Sequence, residues 1–103
     1  MKAIISMLVL GLMVALALPA LAQDAPEALY KAKCQACHGP EGKGTVAGIK
    51  MGAKDFRSPE IQKLTETEMF TSVKNGKGKM TKFDGKLTDD QIKSLVKFVH
   101  NFK

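Results

Sequence analysis

The chain predicts an all-α domain of three to four short helices. Two observations carry that expectation. Thr65-x-x-Glu68 and Thr88-x-x-Gln91 are capping boxes, and each opens a segment whose apolar residues recur at helical spacing. No segment alternates apolar and polar residues with β-branched side chains as a strand would. With 103 residues there is room for one domain. Sixteen Lys and Arg against ten Asp and Glu give a net charge of +6, and 45% of residues are apolar. That balance excludes a multidomain enzyme, a disordered charged tail and a collagen-like chain. Two cysteines are too few for a disulfide-dense miniprotein.

The N-terminus reads as a secretory signal. Lys2 precedes an apolar run from Ala3 to Leu18, followed by Pro19 and Ala20-Leu21-Ala22. A positive start, an apolar stretch and a small-x-small ending predict cleavage after Ala22. The alternative is an uncut membrane anchor, since the stretch to Ala22 nearly spans a bilayer. Residues 1–22 are therefore read as the signal and 23–103 as the working domain of 81 residues. Without Lys2 its charge is +5. No cysteine stands near the cut for a lipid anchor, and nothing after Ala22 is apolar enough to cross a membrane.

Asp24 and Pro26 look like a cap and a first-turn proline, opening a helix over about 25–37 with Ala28, Leu29, Tyr30 and Ala32 as apolar members. From Gly39 to Arg57, five glycines and scattered apolar residues predict a loop. Ser58-Pro59-Glu60 opens one or two turns reaching Leu64. The Thr65 helix carries Met69, Phe70 and Val73 and closes at Asn75-Gly76. Gly76 to Leu87 is a second loop. The last helix places Ile92, Leu95, Val96, Val99 and Phe102 on one stripe. Loops this long in so small a domain are hard to stabilise unless they wrap a bound group.

The chemistry lies in Cys34-Gln35-Ala36-Cys37-His38. Two cysteines two residues apart, followed at once by histidine, form the attachment signature of a c-type haem. Each thiol adds to a vinyl group of the porphyrin, and the spacing lets the two reach neighbouring vinyls. The adjacent His38 then lies under the iron as its proximal ligand. Covalent attachment holds the haem in a domain too small to enclose it otherwise. Other readings fit less well. A redox dithiol sits on a strand-to-helix turn, and no strand precedes Cys34. A closed zinc site needs four ligands, and only Cys34, Cys37, His38 and a distant His100 exist. A disulfide across two residues would be a small strained loop. Haem attachment takes place outside the cytoplasm, which agrees with the signal.

From Ala28 to Phe98 the chain resembles the small bacterial monohaem cytochromes c of class I. Leu29-Tyr30 stands just ahead of the first motif cysteine. His38-Gly39-Pro40-Glu41-Gly42-Lys43-Gly44 is similar to the family's glycine-rich continuation. Asn75 to Phe83 resembles the segment that brings in the axial methionine, and Leu87 to Phe98 resembles the terminal helix. The resemblance implies the cytochrome c fold wrapped around one covalent haem c, with its iron, and first and last helices crossing. Tyr30 and Phe98 should lie near that crossing. Two departures stand out. Thr81 follows Met80 where the family often has proline, and the loop over 41–58 also lacks proline. Some backbone carbonyl between about 41 and 50 should therefore accept the proximal histidine's N–H.

Three methionines follow Ala22. Met69 sits on an apolar stripe and reads as core filler. Met51 lies in a loop thirteen residues past His38. Met80 lies in a glycine-flanked loop where the backbone can approach a ring closely, and the resemblance places the sixth ligand there. His100 is a further candidate, towards the flank of the last helix. A His38/Met80 pair fills both axial positions, which is the electron-transfer arrangement. The expected function is a soluble periplasmic electron carrier and not an enzyme. The alternatives are a haem protein with an open or labile sixth site, for small-ligand sensing or peroxide reduction, and a membrane-tethered cytochrome subunit. Lys74, Lys77, Lys79, Lys82 and Lys86 bracket the Met80 loop, and Lys43, Lys50 and Lys54 populate the other loop. Such a positive ring predicts redox partners with acidic docking surfaces. Weak contact with anionic membrane is left open, nucleic acid is not expected, and a monomer is.

Overall fold

The computed structural model describes residues 25–103. The segment read as a signal lies outside the described residues, as does Asp24. Six helical segments follow in order: α1 Pro26–Lys33, α2 Gln35–His38, α3 Val46–Lys50, α4 Pro59–Gln62, α5 Glu66–Asn75 and α6 Asp89–His100. Only α1, α5 and α6 exceed two turns, so the expected three or four helices become three principal ones and three short turns.

Local chemistry explains most of the boundaries. Pro26 occupies the first turn of α1, and Ala25 stands at the N-cap without a side-chain bond. Both expected capping boxes are formed: Thr65 with Glu68 on α5, and Thr88 with Gln91 on α6. Ser58 caps α4 by accepting from the Ile61 N–H. Two expectations need correction. The single helix over 25–37 is broken at Cys34, whose φ of −120° leaves the helical region. Spacing could not reveal the break, because the Cys34 N–H still bonds the Tyr30 carbonyl at 2.9 Å and the His38 N–H bonds the Cys34 carbonyl at 2.9 Å. The loop over 39–57 also contains α3, capped by Thr45 accepting from the Gly48 N–H at 3.0 Å.

The core consists of Leu29, Tyr30, Phe56, Met69, Leu87, Ile92, Leu95 and Val96. Each fully buried aliphatic or aromatic side chain contributes about 1.5–3 kcal/mol. α6 packs against both α1 and α5. Tyr30 meets Phe98 where α1 crosses α6, with ring centroids 5.5 Å apart, as expected from the sequence. Phe98 is half-buried, and Phe102, beyond the end of α6, completes an aromatic cluster with Tyr30 and Phe56. Of the apolar residues of α1, Ala28 and Ala32 are exposed, so Leu29 and Tyr30 alone anchor it. The only arginine ties the loop after α2 to the last residue: Arg57 donates to the Glu41 carbonyl at 2.6 Å and to the Lys103 carbonyl at 2.9 Å. No helix among the described residues is long and apolar enough to cross a membrane.

Candidate functional site

Cys34, Cys37 and His38 come together on a single turn at the end of α1. Cys34 is the residue between α1 and α2, Cys37 lies one turn on, and His38 closes α2. Cys34 and Cys37 stand three positions apart across this turn. Both thiols are free; Cys34 is half-buried and Cys37 exposed. Burial pushes the Cys34 thiol up to about 11. A redox dithiol of the thioredoxin kind needs the opposite shift.

A latch from the following loop secures this turn. The Gly44 N–H donates to the His38 carbonyl at 2.8 Å and the Thr45 N–H to the Cys37 carbonyl at 2.9 Å. The Thr45 hydroxyl donates to the Ala36 carbonyl at 2.9 Å. The last carbonyls of α2, which have no partner within the helix, are thereby satisfied. Gly48 of α3 seats directly on the backbone of Cys37, where any Cβ would run into the Cys37 carbonyl. From the other side, the buried Tyr30 hydroxyl donates to the Gly39 carbonyl at 2.6 Å. The sequence reading missed Thr45 and Gly48. A Thr ahead of Val46 is a weak start signal when Gly48, not Glu or Gln, stands three residues later.

The His38 ring stacks on Phe56, with centroids 4.8 Å apart and planes at 25°. Its Nδ1 is buried and has no hydrogen-bond partner among the described residues. The carbonyl expected between about 41 and 50 is therefore not in place. The latch directs its polar groups to the backbone of α2, and an aromatic face covers the imidazole instead. Burial lowers the His38 pKa and keeps the ring neutral, the form in which histidine binds a metal. Two free thiols on one turn beside a neutral, half-buried imidazole fit the donor set of a c-type haem.

The other candidates are dispersed. Met80 is half-buried in the turn that pairs it with Lys77, and its N–H donates to the Lys77 carbonyl at 3.0 Å. Met69 is a core residue, and Met51 is 49% exposed at the end of α3. His100 lies 3.5 Å from Glu66, linking α6 to α5. Among the described residues no three His, Cys, Asp or Glu side chains form a metal-ion cluster, which leaves the zinc reading without support. A cavity of about 370 Å³ opens between α5 and α6, lined by Phe70 and Val96 among others, but none of the four site residues borders it.

Known proteins resemble this chain over most of its length. Residues 21–99 match the family described as cytochrome c oxidase, cbb3-type, subunit III. Cytochrome c6 of Leptolyngbya boryana is 37% identical over 71 residues, 69% of this chain and 81% of the relative. Cytochrome c6 of Gloeothece citriformis is 33% identical, covering 96% of this chain and 93% of that one. Among solved structures, the c-type cytochrome KustC0563 superposes with a TM-score of 0.72 at 34% identity, covering 76% of this chain and 96% of the other. Cytochrome c6 of the diatom Phaeodactylum tricornutum gives 0.55 at 29% identity, over 74% of this chain and 87% of that chain. With its all-α fold, its Cys34–His38 turn and these relatives, the chain belongs to the class I c-type cytochromes and carries one covalently bound haem c.

Proposed function

We propose that this protein is a soluble periplasmic one-electron carrier and not an enzyme. In this reading Cys34 and Cys37 form the thioether links, and His38 and Met80 are the axial ligands of the haem iron. One observation carries the reading: His38 ends α2 within a turn of two free thiols, with its ring half-buried, neutral and stacked on Phe56. Bound in this way, the haem supplies a one-electron couple whose potential thioether ligation raises. The residues of the chain hold and orient it. Cys34 and Cys37 would tether the haem, the Thr45 latch and Tyr30 fix the turn that presents His38, and Phe56 stacks on the imidazole.

Two of the rivals to Met80 are engaged elsewhere, and the third, Met51, is exposed at the end of α3. Met69 is committed to the core and His100 to Glu66. Gly76 lets the Met80 loop pass close to the end of α5. In the same reading residues 1–22 are removed on export and the mature protein is monomeric. Lys50, Lys77, Lys79, Lys82 and Lys86 have no acidic partner within ion-pair distance among the described residues. They leave a positive surface for acidic redox partners, whereas Lys43, Lys54 and Lys74 are paired with Glu41, Glu60 and Asp89.

The test is an absorption spectrum of the secreted protein, oxidised and reduced, after acid-acetone extraction. Haem should stay with the protein, and the weak red band of a Met–ferric bond should vanish in Met80→Ala. Extractable haem would overturn the attachment. An unchanged band in Met80→Ala would move the ligand to another residue.

A further inference from the structure

We infer that Lys74 is a positioning residue for Met80: its ion pair with Asp89 holds shut the base of the loop that carries the methionine. This rests on Met80 being the sixth ligand, as proposed above. The chain leaves α5 after Asn75 and enters α6 at Asp89, with Met80 in the loop between them. The backbone draws the base of that loop together. The Phe83 N–H donates to the Val73 carbonyl at 3.1 Å, and the Asp84 N–H to the Lys74 carbonyl at 3.0 Å. Both acceptors lie in the last turn of α5, where a helix leaves its carbonyls without partners of its own.

The Lys74 side chain makes a further connection. Its Nζ stands 3.1 Å from Asp89 Oδ1 and 3.4 Å from Oδ2, joining residues fifteen positions apart. It also lies 5.8 Å from the centre of the Phe70 ring, one turn earlier in α5. Lys74 is half-buried and Asp89 exposed. Each charge suits its helix end, a cation in the last turn of α5 and an anion in the first turn of α6. Lys74 therefore ties the end of α5 to the returning loop by its carbonyl and to α6 by its ammonium.

Opening of the loop would withdraw Met80 from its ligating position. The ion pair opposes that opening, because it fixes the two helix ends from which the loop springs. Without it the two backbone bonds remain, but they alone close the base, and locally open forms gain population. Lys74 thus differs in role from Lys77, Lys79 and Lys82, which have no acidic partner within ion-pair distance among the described residues.

The experiment titrates imidazole into the ferric, haem-loaded full chain at fixed pH and low ionic strength, following loss of the weak red band of the Met–ferric bond. Imidazole binds only where Met80 has left, so its apparent affinity scales with the population of the open loop. Lys74→Gln should bind imidazole about two- to fivefold tighter, the range that an ion pair of this exposure supports. Lys74→Arg keeps the charge and should return close to the wild-type affinity. Asp89→Asn should match Lys74→Gln, and the double variant should add little to either, since the two residues share one contact. Lys54→Gln removes the same charge and breaks the pair with Glu60 outside this loop, and should leave the affinity unchanged. If Lys74→Gln binds imidazole no better than Lys54→Gln, whatever its unfolding midpoint, the positioning role is overturned. The same holds if the Lys74→Gln and Asp89→Asn effects add in full. A wild-type protein without the Met–ferric band, or a Met80→Ala variant that keeps it, would overturn the ligand assignment itself, and this inference with it.

Discussion

Tyr30 connects the core to the attachment turn through one hydroxyl. Its ring is buried, and its O–H donates to the Gly39 carbonyl beside His38. Its pKa is pushed up to about 12, first by burial and second by the Cys34 sulfur, with Arg57 opposing. Once Cys34 is a thioether its charge is gone, and burial remains the main cause. The folded protein therefore keeps the phenol proton longer than the unfolded chain does. The linked stability is complete below about pH 10 and is lost as the pH rises towards 12. Tyr30→Phe leaves the Gly39 carbonyl without its donor and should cost about 1–3 kcal/mol at neutral pH. Denaturant unfolding of both proteins at about pH 8 and pH 11 checks this. The gap should narrow at the higher pH, and a constant gap would contradict the linkage. Among single residues, Cys34, Cys37 and His38 were legible because their chemistry fixes their spacing. Phe56 was not, since an isolated aromatic in a glycine-rich loop carries no period and its partner is eighteen positions away.

The helices end where the sequence marks an end, and the ends shape the site. α5 closes at Gly76, with φ +81° and ψ 164°, a region open essentially to glycine. A Cβ at Gly76 would stand 2.8 Å from the Met80 carbonyl oxygen and 3.2 Å from the Lys82 nitrogen. Gly76→Ala should therefore displace the Met80 loop. The expected outcome is a weakened Met–ferric band and a loss of about 1–3 kcal/mol, read from the ferric spectrum and the unfolding midpoint. A variant with an intact band would show that the loop tolerates the shift. Capping boxes made α5 and α6 readable because both halves of each device are local. α3 was not readable, because five residues are too few to show a period. The break at Cys34 was hidden by the hydrogen bonds that continue across it.

Charge belongs to the molecule as a unit. Without residues 1–22 the chain carries +5, and Lys77, Lys79, Lys82 and Lys86, none with an acidic partner among the described residues, flank the Met80 loop. Electron exchange with an acidic redox protein should slow severalfold as ionic strength rises from about 10 to 200 mM, because the Debye length shrinks from roughly 30 to 7 Å. Stopped-flow rates for the wild type and for Lys77→Gln with Lys79→Gln and Lys82→Gln test it. The triple variant should be slower at low salt and less sensitive to added salt, and equal salt slopes would remove these lysines from docking. The amino-acid order alone was enough to specify the all-α class and the family, because capping, periodicity and Cys-x-x-Cys-His are devices of near neighbours. The fold was needed to show that Phe56 stacks on the imidazole, that Gly48 seats on Cys37, and that Tyr30 holds Gly39. These contacts join residues nine or more positions apart, and packing, which local spacing does not encode, brings them together.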